Sequence, residues 1–208
     1  MMRGAGTAEY IAGWKTAEDW RRSRGQLHGP GAPWKKAFEE YFVARLTLRY
    51  LNPIKLLQEH GTFQGEGFSI VAIQCTLIEF LAATRAGKGY RLPKRGEPAL
   101  GEFEYSKSAE MFIAFLSQIE PFSKDFSPDL AQDFYSSVRC GLLHEARTKD
   151  GWTIWARGEG IIDPDRKVVH RDNMQSAIET YVANYGKELL ADAKLQAAFV
   201  RKFDALAG

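Results

Sequence analysis

The sequence predicts a mainly α-helical protein: a bundle of about five helices, with a small β-hairpin at about residues 152–170 inserted before the C-terminal helix. Three observations carry that expectation. "WKKAFEEYFVARLTLRYL" repeats large apolar residues every four positions, and "FSIVAIQCTLIEFLAATRAG" is apolar on nearly every side. "DGWTIWARGEGIIDPDRKVVH" abandons the helical period for short runs between turns.

A chain of 208 residues with 45% hydrophobic residues and 13 phenylalanines suffices for one substantial core. The 28 Lys plus Arg against 26 Asp plus Glu leave a net charge of +2, too slight to mark a nucleic-acid binder, so local clusters must carry any such role. Cys75 and Cys140 stand among apolar neighbours and read as reduced thiols. Neither a secretory leader nor a run of about 18 uncharged apolar residues is visible, so the expectation is a cytoplasmic protein with no membrane partner.

Residues 1–33 mix Gly, Arg and isolated tryptophans and end in "HGPGAP", which breaks helix and strand alike. They read as a flexible N-terminal extension, ahead of one helical domain over residues 34–208. Trp34, Phe38, Phe42, Leu46 and Tyr50 line the first long helix, which Pro53 should kink or restart. The all-apolar segment that follows belongs at the centre of the bundle. Its Glu79 demands a partner, because a carboxylate in apolar surroundings is costly unless paired. Arg85, Lys88, Arg91, Lys94 and Arg95 then crowd one loop around Tyr90, as a candidate RNA-binding stretch or as a solvated loop. "AGKG" within it lacks the preceding glycine of a phosphate-binding loop.

"SAEMFIAFLSQI" predicts a further helix, stopped by Pro121. In "FSPDLAQDFYSSVRCGLLHEART", Ser127 can cap, Pro128 suits the first turn and Asp129 favours the positive end of the dipole. After the hairpin, Ile178, Tyr181, Val182, Tyr185 and Leu189 resume a helical stripe that Gly186 can bend.

Arg139 and His144 carry the one chemical reading of this helix. A histidine with an ordinary pKa of about 6.5 can remove and return a proton near neutral pH. A guanidinium stays charged and grips phosphate oxygens in a fork. Spacing by itself says little, since Arg21 and Arg22 stand in a similar relation to His28. Residues five apart on an ideal helix also differ by roughly 140° in azimuth. Gly141 between them suggests close packing or a local bend. Cys140 and His144 share a face but make no zinc site, and "HEART" lacks the second histidine of a metalloprotease helix, so no metal and no cofactor is expected.

The helical bundle with "VRCGLLH" in a late helix resembles the HEPN superfamily, whose hallmark is an arginine followed after four to six residues by a histidine. The resemblance spans roughly Trp34 onward by architecture, and its specific motif is Arg139 with His144. It implies a two-fold homodimer with two motifs meeting at the interface, and a metal-independent RNA endonuclease of toxin–antitoxin, antiphage or RNA-processing systems. His144 would then be the general base or acid, Arg139 would stabilise the phosphate, and the products would carry 2′,3′-cyclic phosphate and 5′-hydroxyl ends. Many nuclease members have a polar residue directly after the arginine, where this chain has Cys140. The second reading is a noncatalytic homodimeric interaction module that binds a partner protein through Trp152 and Trp155, and in which Arg139 neutralises Glu79.

Overall fold

The computed structural model describes residues 9–208 except Phe63, and they form a mainly α-helical fold with small β elements. A short hairpin of β1 (Tyr10–Ala12) and β2 (Lys15–Thr16) leads into helix α1 (Ala17–Arg24). Helix α2 runs over residues 34–60, α3 is Glu66–Ala86, and β3 (Gly89–Tyr90) pairs in parallel with β4 (Glu104–Tyr105). Then follow α4 (Ala109–Gln118), α5 over residues 128–145, and strands β5 (Thr153–Trp155), β6 (Ile162–Asp163) and β7 (Val168–His170). Helices α6 (Arg171–Leu189) and α7 (Ala193–Ala207) complete the chain.

Helix α3 is the axis of the bundle, packed against α2, α4, α5, α6 and α7. Ile70, Val71, Leu77, Ile78 and Leu81 are fully buried along it. By length and composition α3 could cross a bilayer, yet its apolar window is 61% buried, which is what a central core helix requires.

Part of the expected flexible extension is built into the core. The Thr16 side chain accepts from the Asp19 amide while the Asp19 carboxylate accepts from the Thr16 amide, a reciprocal cap that starts α1. Trp20 is fully buried against Tyr41, Phe199 and Phe203, and its indole donates to Asp204 at 2.9 Å. One tryptophan thus offsets the ordering entropy of a segment whose glycine and arginine content suggests looseness. "HGPGAP" is the turn between α1 and α2, with Gly29 and Gly31 in the left-handed region. Residues 1–8 of the expected extension lie outside the described residues.

Pro53 does not break α2. The helix widens into π-helical stretches at Phe38–Val43 and Thr47–Leu51, and the Asn52 amide bonds to the Thr47 carbonyl five residues back. The wider turn just before Pro53 accommodates the residue that cannot donate and whose ring crowds the preceding turn. The expected single C-terminal helix is two. It breaks after Leu189, and Asp192 accepts from the Lys194 and Leu195 amides to start α7. Gly186 does not bend α6; a Cβ there would meet the Phe38 ring at 2.6 Å, so it permits close helix approach.

The expected hairpin is the antiparallel pair β6–β7, widened to three strands by β5, which joins β7 in parallel. Of its two tryptophans Trp155 is exposed, whereas Trp152 is 3% exposed and donates to Asp133 at 3.1 Å, which removes it from any contact surface. Replacing Trp20 with alanine should lower unfolding stability in urea by about 3–5 kcal/mol, whereas Trp14→Ala, at an 85% exposed position, should change it by less than about 0.5 kcal/mol.

Candidate functional site

Helix α5 starts as its sequence demands, with the Ser127 hydroxyl accepting from the Leu130 amide and Pro128 in the first turn. It passes through a π-helical stretch at Phe134–Arg139 and returns to α-geometry over Cys140–Glu145. Ala146 ends it in the left-handed conformation, and the chain folds back so closely that a Cβ on Gly141 would lie 2.4 Å from the Arg147 carbonyl oxygen. Gly141 is therefore required by the returning chain.

Arg139 leaves the last π-helical position towards α3. Its Nη2 donates to Glu79 Oε2 at 2.7 Å, with the two side chains only 16% and 20% exposed. The guanidinium lies 5.2 Å from the centre of the Tyr135 ring, one turn earlier on α5. Nη1 reaches Cys140 Sγ at 3.9 Å, and Nε has no hydrogen-bond partner. Burial works against the charge on Arg139, but the Glu79 hydrogen bond and carboxylate outweigh it and raise its pKa. The anticipated partner of Glu79 is thus in place.

A second layer surrounds the pair. Burial, the negative charge of Glu79 and a hydrogen bond to it all hold the Tyr105 hydroxyl well above its ordinary pKa. Lys202, 4% exposed on α7, donates to the Lys88 carbonyl at 3.0 Å, with its amine 5.3 Å from the Phe80 ring centre and 5.9 Å from that of Tyr105. Burial pulls the Lys202 pKa down to about 8; Arg45 adds to this and Glu79 opposes it. Arg45 is itself lowered to about 10, chiefly by burial and then by Arg49. Glu79 therefore lies among cations and phenols drawn from three other parts of the chain.

His144 does not join this cluster. It is exposed in the last turn of α5, and among the described residues no hydrogen bond or ion pair links it to Arg139. The α-helical path from Cys140 onward keeps the large azimuthal offset that the spacing implies. Arg139 faces inward and His144 outward. The competing match is no site, since Arg22 pairs with Asp19 at 2.8 Å and Arg21 donates to the Ala207 carbonyl.

The five loop cations divide into two groups. Arg85 pairs with Glu188 at 2.8 Å, and Arg91 binds Glu104 at 2.8 Å together with the Pro98 and Ala99 carbonyls, so both hold the fold. Lys88, Lys94 and Arg95 have no ion-pair partner among the described residues. Tyr90, 60% exposed between them, packs edge-on against Tyr105 at 5.5 Å. The basic loop is thereby tied, through Tyr105, to Glu79 and Arg139.

Sequence reasoning missed Tyr105, Tyr135 and Lys202. Two signals were present: Tyr135 precedes Arg139 by four helical positions, and Lys202 interrupts the buried stripe of Leu195, Phe199 and Phe203. Tyr105 reaches Glu79 from the two-residue strand β4 and left no local trace. No known protein family, curated protein or solved structure matches this chain.

Two stability measurements probe this centre. Glu79→Gln should cost about 2 kcal/mol in denaturant unfolding, and adding Arg139→Met should recover part of the loss, because it removes the buried charge left unpaired. For Lys202 the folded pKa lies below the unfolded value, so the penalty is full below pH 8, where both states hold the proton. Between about 8 and 10.5 only the unfolded chain keeps it, and stability rises with pH. Relative to Lys202→Met, the wild type should gain up to about 3 kcal/mol over that interval.

Proposed function

We propose that this protein is a metal-independent RNA endonuclease of the HEPN type, acting as a homodimer. The observation that carries this reading is the continuity from the exposed Tyr90 and its flanking cations, through Tyr105 and Glu79, to an arginine whose side chain is 16% exposed. A single-stranded RNA could stack a base on Tyr90 and run its phosphates past Lys88, Lys94 and Arg95. One phosphate would then meet Arg139, whose fork is held by Glu79 on one side and by the Tyr135 ring beneath.

In the reaction, His144 removes the 2′-hydroxyl proton and the 2′-oxygen attacks phosphorus. Arg139 stabilises the charge that develops on the phosphate, and the 5′-oxygen departs as a hydroxyl with the proton that His144 returns. Because Arg139 and His144 of one chain point apart, each reaction centre combines residues of two copies, as the HEPN resemblance implies. Placed at the exposed end of α5, His144 is free to serve a neighbouring subunit.

A specific observation favours a second reading. Glu79 neutralises Arg139 at 2.7 Å, as expected of a homodimeric interaction module that binds a partner protein and performs no chemistry. One assay separates the two. Under the first reading, purified protein cleaves single-stranded RNA in EDTA, leaving 2′,3′-cyclic phosphate and 5′-hydroxyl ends, and His144→Ala and Arg139→Ala each lose about a hundredfold or more. Folded wild type that leaves RNA intact, or variants that cut equally well, would leave the interaction module standing.

A further inference from the structure

The three-stranded sheet carries a separate feature that the RNA reading does not use. A cavity of about 530 Å³ opens beside it, between the ends of β5 and β7, the loops on either side of β6 and the segment before α5. His170, at the end of β7, lines this cavity and is 4% exposed. Its Nδ1 lies 3.1 Å from the Gly160 carbonyl oxygen; since a carbonyl only accepts, Nδ1 carries the proton. In that tautomer Nε2 is an acceptor, and it has no hydrogen-bond partner among the described residues. The residue is almost fully buried, yet it lines the cavity.

The loop packs directly against this ring. A Cβ on Gly158 would lie 2.1 Å from Nε2 and 2.2 Å from Cε1, so only glycine avoids a collision with that edge. Asn173 fixes the loop by donating to the carbonyls of both Gly158 and Gly160 at 2.8 Å. Asp125 Oδ2 accepts from the Ile161 amide at 2.8 Å, and Asp163 Oδ1 from the Arg166 amide at 3.0 Å. The other oxygen of each carboxylate has no such bond among the described residues. The inner wall is therefore acceptor-rich, and it suits a ligand that presents several hydroxyls.

The mouth has the opposite character. Arg166 lies with its guanidinium 4.4 Å from the Trp155 ring centre and has no ion-pair partner among the described residues. Arg157 stands beside it, 83% exposed, with one edge on Asp172. Two guanidiniums at the rim favour an anionic group, and bidentate geometry favours phosphate. Among the described residues no three His, Cys, Asp or Glu side chains converge as metal ligands, so His170 and the carboxylates are available as hydrogen-bond acceptors.

From these observations we infer that the cavity binds a phosphate ester of a sugar with a vicinal diol. The diol donates to His170 Nε2 and to Asp125 or Asp163, and the phosphate rests on Arg166 and Arg157. A ribonucleotide and a free sugar phosphate share this chemistry, and 530 Å³ accommodates either. The inference is independent of the RNA-cleavage reading, because it uses none of the residues around Arg139.

The test follows the His170 ring signal of full-length protein by NMR, identified by its loss in His170→Asn. It is titrated separately with ribose 5-phosphate, adenosine 5′-monophosphate, its 2′-deoxy counterpart, adenosine and inorganic phosphate. At least one of the two ribose phosphates should shift the signal saturably, and which one does so identifies the source. Adenosine, inorganic phosphate and the deoxynucleotide should bind at least tenfold more weakly than that ligand. Gly158→Ala should abolish the shift, and Arg166→Ala, at an exposed position that leaves the fold intact, should weaken it at least tenfold. Silence from both ribose phosphates would overturn the proposal, as would equal binding by adenosine, by the deoxynucleotide or by inorganic phosphate. If Gly158→Ala unfolds, the Arg166→Ala result decides, and unchanged affinity there would equally refute it.

Discussion

A single carboxylate in the middle of an apolar helix imposes order on much of this protein. Glu79 sits on α3, the axis of the bundle, where a charge without compensation is not tolerated. Arg139 from α5 supplies the charge and Tyr105 from β4 supplies a hydroxyl. Lys202 on α7 adds a further positive charge nearby. Elements far apart in the chain are thus committed to one register around one residue. A shift of α5 by a single position would take Arg139 off Glu79 and place an apolar or thiol side chain there.

That commitment also sets the chemistry available. An arginine held by a carboxylate keeps its orientation without the entropy of a free side chain, and its remaining donors point where the carboxylate lets them. The same pairing lowers the net positive charge offered to a phosphate. An anion bound at Arg139 would therefore need added positive potential, which the unpaired Lys88, Lys94 and Arg95 can provide. The tyrosine pair Tyr90–Tyr105 places that basic segment next to the ion pair.

Where the sequence was legible, a local pattern had a local cause. The period-four stripe from Trp34, the cap at Ser127 and the need of Glu79 for an arginine all followed from rules that act within one helix or one residue. Failures came where a distant partner overrides local chemistry. The segment around Trp20 looks loose until Phe199, Phe203 and Asp204 are placed beside it. Gly186 reads as a bend until Phe38 is seen filling the space of its missing side chain. Asp192, like Tyr135 and Lys202, is a case where a local signal existed and was overlooked, since a capping residue interrupts the final helical stripe. At the candidate site, Arg139 and Glu79 were readable as a pair, whereas Tyr105 reaches them from β4, a strand of two residues too short to show a period.

The clasp between α1 and α7 bears on how the chain acquires its shape. Trp20 and Arg24 both find their acceptor in Asp204, 180 or more positions later. During synthesis the first helix must wait, its indole without a home, until α7 has left the ribosome. Contacts of such long sequence separation slow folding, because the loop they close must be ordered before they reward it. Chaperone engagement and early proteolysis would act on that interval, and the first helix would be the last piece of the molecule to become safe.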